Sequence, residues 1–489
     1  MKHLILFFAL YAVASSLCAF ERPNIIFILA DDMGYGDVQS LNSDSKIPTP
    51  KLNRLAAEGM SFTDAHSPSA VCTPTRYATL TGRYSWRSRL KSGVLNGYGT
   101  PLIETDRPTV ASHLKANGYH TAVIGKWHLG LGFQKHSNGE WDWTKPLTYS
   151  PVDVGFERSL VIPASLDFPP YVYIEGHKIT GLPDREQPAQ KFPAYLRKGE
   201  LGSNFSILNC LDVLAEKTAE HIKLSAKNKK PFFLYFPLTA PHKPVLPHPR
   251  FEGKTDLGPY GDFIVQVDWT VGRVLDAVDE AGIRENTLII YTSDNGSFMY
   301  RETDGSIPDH VKDATVQAYF EGNHTANGSL RGTKADIWEG GHRVPFFARW
   351  PKVIKAKSKC DVPICHVDLF ATAAAVARTK LPSAAEAAPD SFSWLSLFQG
   401  KPQRFKRAPV VNHSAAGMFA VREGDWKLVL GNGSGGRQQP KGRRFTPPWQ
   451  LYNLKDDLSE TKDLYSAEPE VASRLEAALY KMLADERSR

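Results

Sequence analysis

Three short segments carry the chemistry open to this chain. Asp31-Asp32 and Asp294-Asn295-Gly296 each follow an apolar run. Read singly, adjacent aspartates end a strand in solvent and Asp-Asn-Gly forms a turn. At two strand ends brought together they offer three carboxylates and one amide oxygen. Such hard donors suit Ca²⁺, with Mg²⁺ second, and do not suit zinc. The third segment is Cys72-Thr73-Pro74-Thr75-Arg76. Pro74 fits the first turn of a helix, which puts Cys72 at a helix N-terminus, where the dipole and unbonded N–H groups favour anions. A thiol there is either inert at a helix start or a thiolate nucleophile with a lowered pKa. The neighbouring hard donors argue against ordinary thiol chemistry. Read alone, His128 and His242 are structural histidines and Lys334 is a solvated lysine.

The elements that must position these residues are four continuous apolar runs, at 24–30, 121–124, 231–236 and 287–291. Unbroken rather than alternating runs predict strands buried on both faces. Each run leads into polar residues: Asp31-Asp32, Gly125-Lys126-Trp127-His128, Thr239-Ala240-Pro241-His242 and Ser293-Asp294-Asn295-Gly296. Helical patterns occupy 49–58, 109–117, 207–226 and 264–281, with Gly118 and Gly282 as stops. Strands alternating with helices predict an α/β fold with a mostly parallel, doubly wound sheet. Ligands of such sheets bind beyond the carboxyl ends of the strands, so the four polar clusters come to one rim. The pattern then changes. An Ala-rich helix and linker fill 371–388, strands are expected at 419–422, 426–430 and 451–454, and a last helix at 468–487. This divides the chain into a catalytic domain at 20–379 and a smaller α+β domain, an antiparallel sheet plus helix, at 380–489.

Cys72-Thr73-Pro74-Thr75-Arg76 followed by Leu80-Thr81-Gly82-Arg83 resembles the signature of type I sulfatases, the formylglycine-dependent, arylsulfatase-like branch of the alkaline-phosphatase superfamily. Other blocks match in order: residues 22–37 around Asp31-Asp32, Gly125-Lys126-Trp127-His128, Ala240-Pro241-His242-Lys243-Pro244, Thr292-Ser293-Asp294-Asn295-Gly296, Arg331-Gly332-Thr333-Lys334, and Trp338 to Pro345. The resemblance implies an alkaline-phosphatase-like fold and a sulfuric ester hydrolase. It implies that a formylglycine-generating enzyme oxidises Cys72. Asp31, Asp32, Asp294, Asn295 and the modified Cys72 would bind Ca²⁺. One hydroxyl of the hydrated aldehyde would attack sulfur, with Asp294 as base. Lys334 and His242 would hold the sulfate and protonate the leaving oxygen, His128 would assist release of sulfate, and Arg76 and Lys126 would stabilise charge. Independently of any family, fixed cations and a metal in a dry pocket suit a reaction that moves charge to a bridging oxygen.

The family acts on aryl sulfates, sulfolipids, steroids and sulfated glycans. The loop at 162–171, with Asp167 and Tyr171, and the preceding His136, Trp141 and Trp143 place aromatics beside carboxylates. This suits a sugar, with galactose or N-acetylgalactosamine sulfate preferred, or else a rigid structural loop. Residues 1–19, apolar after Lys2 and His3, predict a secretory signal peptide and hence a periplasmic or secreted enzyme, ahead of a lipid anchor at Cys18. No later run is long and apolar enough to span a bilayer. The net charge of +7 over 489 residues, with no basic arm, argues against a nucleic-acid partner and is compatible with an anionic substrate. Cysteines are too few for a disulfide framework. Cys360 and Cys365 could pair across a short loop, and Cys210 reads as a buried structural thiol. Asn295-Gly296-Ser297 is a formal glycosylation sequon that a ligand role for Asn295 would exclude. Competing readings are a phosphodiesterase or phosphonate monoester hydrolase of the same superfamily, a non-catalytic glycan-binding descendant, and a thiol hydrolase.

Overall fold

The computed structural model describes residues 22–228, 230–302, 318–320 and 324–489. The expected signal segment and Cys18 lie outside the described residues.

The large sheet is built from Asn24–Asp31 (β1), Met60–Phe62 (β2), His120–Lys126 (β3), Arg158–Ile162 (β4), Ile174–Glu175 (β5), Lys178–Ile179 (β6), Phe232–Pro241 (β7), Thr287–Ser293 (β8), Phe346–Arg349 (β9) and Ser358–Cys360 (β10). Their order is β10-β2-β9-β8-β1-β7-β3-β4-β5-β6. The central strands β8-β1-β7-β3-β4 are all parallel. Antiparallel pairing begins outside them, at β9 on one side and β5 on the other.

All eight residues of β1 are buried, which is why its sequence is apolar without alternation. Successive side chains point to opposite faces. Ile26, Ile28 and Ala30 join a core with Pro50–Glu58 (α1), Cys210–Ala226 (α4) and Gly258–Glu280 (α5). Ile25, Phe27 and Leu29 join a second core with Cys72–Thr81 (α2), Val110–Ala116 (α3) and Leu369–Val376 (α6). The result is three layers with the parallel sheet in the middle. Helix α5 starts six residues before the expected 264. Gly258-Pro259 reads locally as a turn, but proline is tolerated in a first helical turn. Gly261 is also packed so closely that a Cβ would lie 2.3 Å from Thr255 Oγ1.

Beyond α6, Val410–His413 (β11), Phe419–Glu423 (β12), Trp426–Val429 (β13) and Gln450–Asn453 (β14) form an antiparallel sheet in chain order. Leu475 and Leu479 of Pro469–Ala484 (α7) share a core with Val421 and Leu428, and also with Ala78, Tyr84 and Trp86. The small sheet is thereby docked against α2 and the segment that follows it.

Cys360 and Cys365 do not pair. Cys360 sits in β10 beside β2, and Cys365 lies opposite His66 in a separate two-stranded ladder. Two different strand pairings hold the two residues, so their closeness in sequence decides nothing. Burial pushes their thiols up to about 11 and about 12. Cys210 is also buried, its thiol raised to about 12 by burial. No helix among the described residues is long and apolar enough to cross a membrane.

Candidate active site

Parallel register aligns the carboxyl ends of the central strands. Ala30 faces Ser293 across β1 and β8, and Asp31 faces Pro241 across β1 and β7. Asp31, Lys126, His242, Asp294 and Asn295 therefore meet at one rim, where the strand order places β1 between its two neighbours. Helix α2 brings Cys72 to the same place. Val71 precedes the helix in extended conformation, Pro74 lies in its first turn, and Gly82 ends it at φ +63°. Three non-glycine residues at the rim have left-handed backbones: Asp32 at φ +70°, His128 at φ +58° and Ala335 at φ +83°. Such conformations cost about 1–3 kcal/mol each and persist where surrounding packing imposes them.

The floor of the site is a balanced charge cluster. Lys126 Nζ lies 2.7 Å from Asp31 Oδ2. Arg76 donates through Nη2 and Nε to Asp294 Oδ2, at 2.7 and 3.0 Å, and through Nη1 to the Lys126 carbonyl at 3.0 Å. Lys334 Nζ is 2.6 and 2.7 Å from the two oxygens of Asp32, and Asn295 Nδ2 donates to Asp32 Oδ1 at 2.6 Å. Three carboxylates thus face three cations, nearly all fully buried. Burial favours the neutral form of Asp31, but Lys126, His242 and Arg76 outweigh it and hold the carboxyl well below its ordinary range. Asp294 is pushed up to about 7 by burial and by Asp31. Burial opposes the charge on Lys334, and Asp32 outweighs it, so the ammonium stays protonated. Burial raises the Cys72 thiol above its ordinary value, against the pull of Lys126 and Lys334. Desolvation opposes the charged form of this thiol despite its place at a helix N-terminus.

Both histidines are driven well below the usual imidazole range, chiefly by burial, with Lys126 adding to the effect at His128 and Lys334 at His242. His128 Nε2 is 2.7 Å from the Leu95 carbonyl, so it carries the hydrogen and leaves Nδ1 as an acceptor, 3.5 Å from Ser165 Oγ. His242 Nδ1 donates to the Lys243 carbonyl at 2.5 Å, which leaves Nε2 facing Asp32 Oδ2 at 3.7 Å.

Above the floor opens a cavity of about 470 Å³, the size of a small-molecule site. Cys72, His128, Asp167, His242 and Lys334 all line it. Asp167 is buried, takes an ion pair from Arg197, and has Oδ1 without a hydrogen-bond partner. Tyr171 is not at the cavity wall. It is fully buried, and its hydroxyl donates to the carbonyl of Arg197 at 2.6 Å, so it holds the loop that carries Asp167 and Arg197. Trp141 and Trp143 are not at the wall either. They pack with Phe133, and Trp141 stacks on Tyr98, the offset and edge contacts that aromatic rings favour. Sequence reading passed over Arg197 and Arg437, which also line the cavity and lie in segments without periodic signal. It also passed over Lys243, which the block around His242 could have flagged. Asn295 is fully buried, which excludes a glycan there.

The floor fits a hard divalent cation. Asp31 Oδ1 and Asn295 Oδ1 are buried without hydrogen-bond partners. Ligand atoms of Asp31, Cys72 and Asp294 lie within 4.8 Å of one another, as do those of Asp31, Asp32 and His242. Orphaned oxygen donors in a carboxylate cluster are what such an ion requires.

Comparison with known proteins agrees with this geometry. The family profile described as Sulfatase matches residues 23–379. N-acetylgalactosamine-6-O-sulfatase of Bacteroides thetaiotaomicron is 34% identical, with 94% of this chain and 93% of that protein covered. Arylsulfatase A of Bos taurus is 32% identical, over 94% and 87%. A structure solved in work on glycosaminoglycan metabolism by Bacteroides thetaiotaomicron superposes with a TM-score of 0.81 at 31% identity, covering 94% of this chain and 99% of the other.

Proposed function

This chain belongs to the sulfatase family and is a sulfuric ester hydrolase, and from that premise we propose that it removes sulfate from sulfated glycans, using a formylglycine made from Cys72 and a Ca²⁺ ion. The observation that carries the reading is the convergence of Cys72, the orphaned oxygens of Asp31 and Asn295, and Lys334, His242 and His128 around one cavity.

Asp31, Asp32, Asp294 and Asn295 would hold the cation, which when bound polarises sulfate oxygens and offsets developing negative charge. The hydrated aldehyde at position 72 would supply the nucleophilic hydroxyl in place of a thiol that burial keeps protonated. The chain's own groups do the rest. Asp294 stands beside residue 72 as proton acceptor, with Arg76 fixing its carboxylate through two N–H groups. Lys334 presents a permanent positive charge to the sulfate. His242, neutral in the free site, faces the same region through Nε2. An arriving anion favours its protonated form, which then delivers a proton to the leaving oxygen. His128 offers Nδ1 as the acceptor for the proton given up when sulfate departs.

Support for a glycan comes from Asp167, whose free Oδ1 at the wall suits a sugar hydroxyl, and from the relative that acts on N-acetylgalactosamine 6-sulfate. The apolar run after Lys2 and His3 supports export of the enzyme. The phosphoester and binding-only readings are not favoured, since the curated relatives are sulfatases and every expected polar residue is present. The test is protein produced together with a formylglycine-generating enzyme. The mass of tryptic peptide 55–76 should show the thiol replaced by an aldehyde or its hydrate. The matured enzyme should release sulfate from galactose or N-acetylgalactosamine sulfates. Turnover confined to small aryl sulfates would refute the glycan assignment, and an unmodified cysteine would refute the nucleophile.

A further inference from the structure

We propose that Asn327 is a positioning residue for the sulfatase reaction, and that its carboxamide holds the turn carrying Asp294 and Asn295 in register with the loop carrying Lys334. The inference rests on the proposed function, in which Asp294 and Asn295 hold the ion and Lys334 receives the sulfate. It adds a residue that acts through both groups from outside the cavity wall.

Asn327 is buried, and both polar atoms of its side chain are used on backbone. Its Oδ1 accepts the N–H of Ser297 at 2.8 Å. Its Nδ2 donates to the Ser297 carbonyl at 3.1 Å and to the Gly332 carbonyl at 3.4 Å. One carboxamide therefore grips both backbone groups of the residue two places after Asn295. The Ser297 carbonyl also accepts the backbone N–H of Lys334, at 2.9 Å. Turn and loop are thus joined at Ser297, and Asn327 fixes that joint from both sides.

The surrounding packing leaves the carboxamide little freedom. A Cβ at Gly34, two residues after Asp32, would lie 3.0 Å from Asn327 Oδ1, and a Cβ at Gly296 would lie 3.1 Å from it. The neighbouring Ala326 carbonyl accepts the N–H of Gly36 at 2.8 Å. Asn327 therefore sits where three loops meet: those after Asp31-Asp32 and Asp294-Asn295, and the one before Lys334. Lys334 Nζ must still reach Asp32 at 2.6 Å, so its placement depends on all three. Removing the carboxamide leaves a buried N–H without a partner, and the turn must shift to satisfy it. Groups that orient ion ligands without touching the ion cost about 10- to 100-fold in affinity or activity when removed.

The experiment uses N327A and the near-isosteric N327D, which keeps the acceptor for Ser297 and loses the donor to the two carbonyls. Ca²⁺ affinity is read from thermal shifts of ion-free protein, and kcat/KM of the matured enzyme from sulfate release at saturating Ca²⁺. N327A should weaken Ca²⁺ binding about tenfold and lower kcat/KM about tenfold even at saturation, because added ion does not realign the Lys334 loop. N327D should show the loss in kcat/KM too, and it carries the test should N327A not fold. In a K334M background the same substitution should cost less than about threefold in kcat/KM, since it acts through that lysine, whereas a general loss of structure costs the same factor in both backgrounds. Ca²⁺ affinity unmoved in N327A, kcat/KM within about twofold of the parent in both variants, or equal losses in the two backgrounds would each overturn the inference and leave the proposed function intact. A parent enzyme without sulfate turnover overturns both.

Discussion

Replacing Lys334 with methionine removes a cation that both balances Asp32 and lines the cavity. Its Nζ is held 2.6 and 2.7 Å from the two Asp32 oxygens, and its side chain is 7% exposed, so the charge is fixed in place and poorly screened. A sulfate about 4 Å from that charge, at an effective dielectric near 20, is attracted by about 4 kcal/mol. Part of this is lost because Lys334 already faces Asp32, which leaves about 3–4 kcal/mol, or a loss of about 10²–10³ in kcat/KM. Asp32 retains its hydrogen bond from Asn295 in the variant, so the fold should survive. The assay is initial-rate sulfate release by matured enzyme at low substrate concentration, on a sugar sulfate and on a nitrophenyl sulfate. A residue that only holds sulfate costs both substrates the same factor. A residue that also protonates the leaving oxygen costs the sugar more, because a nitrophenolate leaves without a proton. K334R, which keeps the charge on a different reach, should fall between. A loss under about fivefold on both substrates, in a variant with native circular dichroism, would refute the assignment of Lys334 to the sulfate.

Two further outcomes follow from the same geometry. Burial and the neighbouring Asp31 push the Asp294 carboxyl up to about 7 from an ordinary 3.8, so between these values the folded state holds a proton that the unfolded state has lost. Its contribution to stability therefore falls as pH rises toward 7, and a divalent cation must displace that proton. Ca²⁺ affinity, read from thermal shifts of ion-free protein, should climb by up to about tenfold per pH unit to pH 7 and level off above it, while an affinity flat between about pH 5 and pH 8 would contradict this. Gly296 follows Asn295, a proposed Ca²⁺ ligand, and a Cβ there would lie 1.8 Å from the Gly340 carbonyl oxygen. G296A should therefore destabilise the chain by about 1–3 kcal/mol and weaken Ca²⁺ binding. An unchanged melting temperature with unchanged affinity would show that the close approach is not needed.

Much of this architecture is legible in the chain itself. A strand buried on both faces must be apolar throughout, so β1, β3, β7 and β8 announce themselves, and the polar residues after them fall where parallel strands end. Gly82 marks the stop of α2 because a left-handed cap excludes most side chains. The placement of Asp31, Lys126, His242 and Asp294 at one rim follows from these local facts and the rule that ligands gather at carboxyl ends. What the sequence determined alone is thus the set of residues whose position depends on short-range periodicity.

The tertiary structure decided everything that depends on which distant surfaces meet. Cys360 and Cys365 are five residues apart, yet they enter different ladders and remain thiols. Tyr171 and Trp141 look available for a sugar in sequence, but packing buries the first under its own loop and stacks the second on Tyr98. Burial also raises the Cys72 thiol, where a helix N-terminus by itself would lower it. Arg437 lies in a Gly-rich stretch with no periodic signal, about 100 residues after Lys334, and stands beside it only because Asp336 captures two backbone N–H groups of its loop. Desolvation and long-range packing are properties of the folded interior, and no local pattern of residues encodes them.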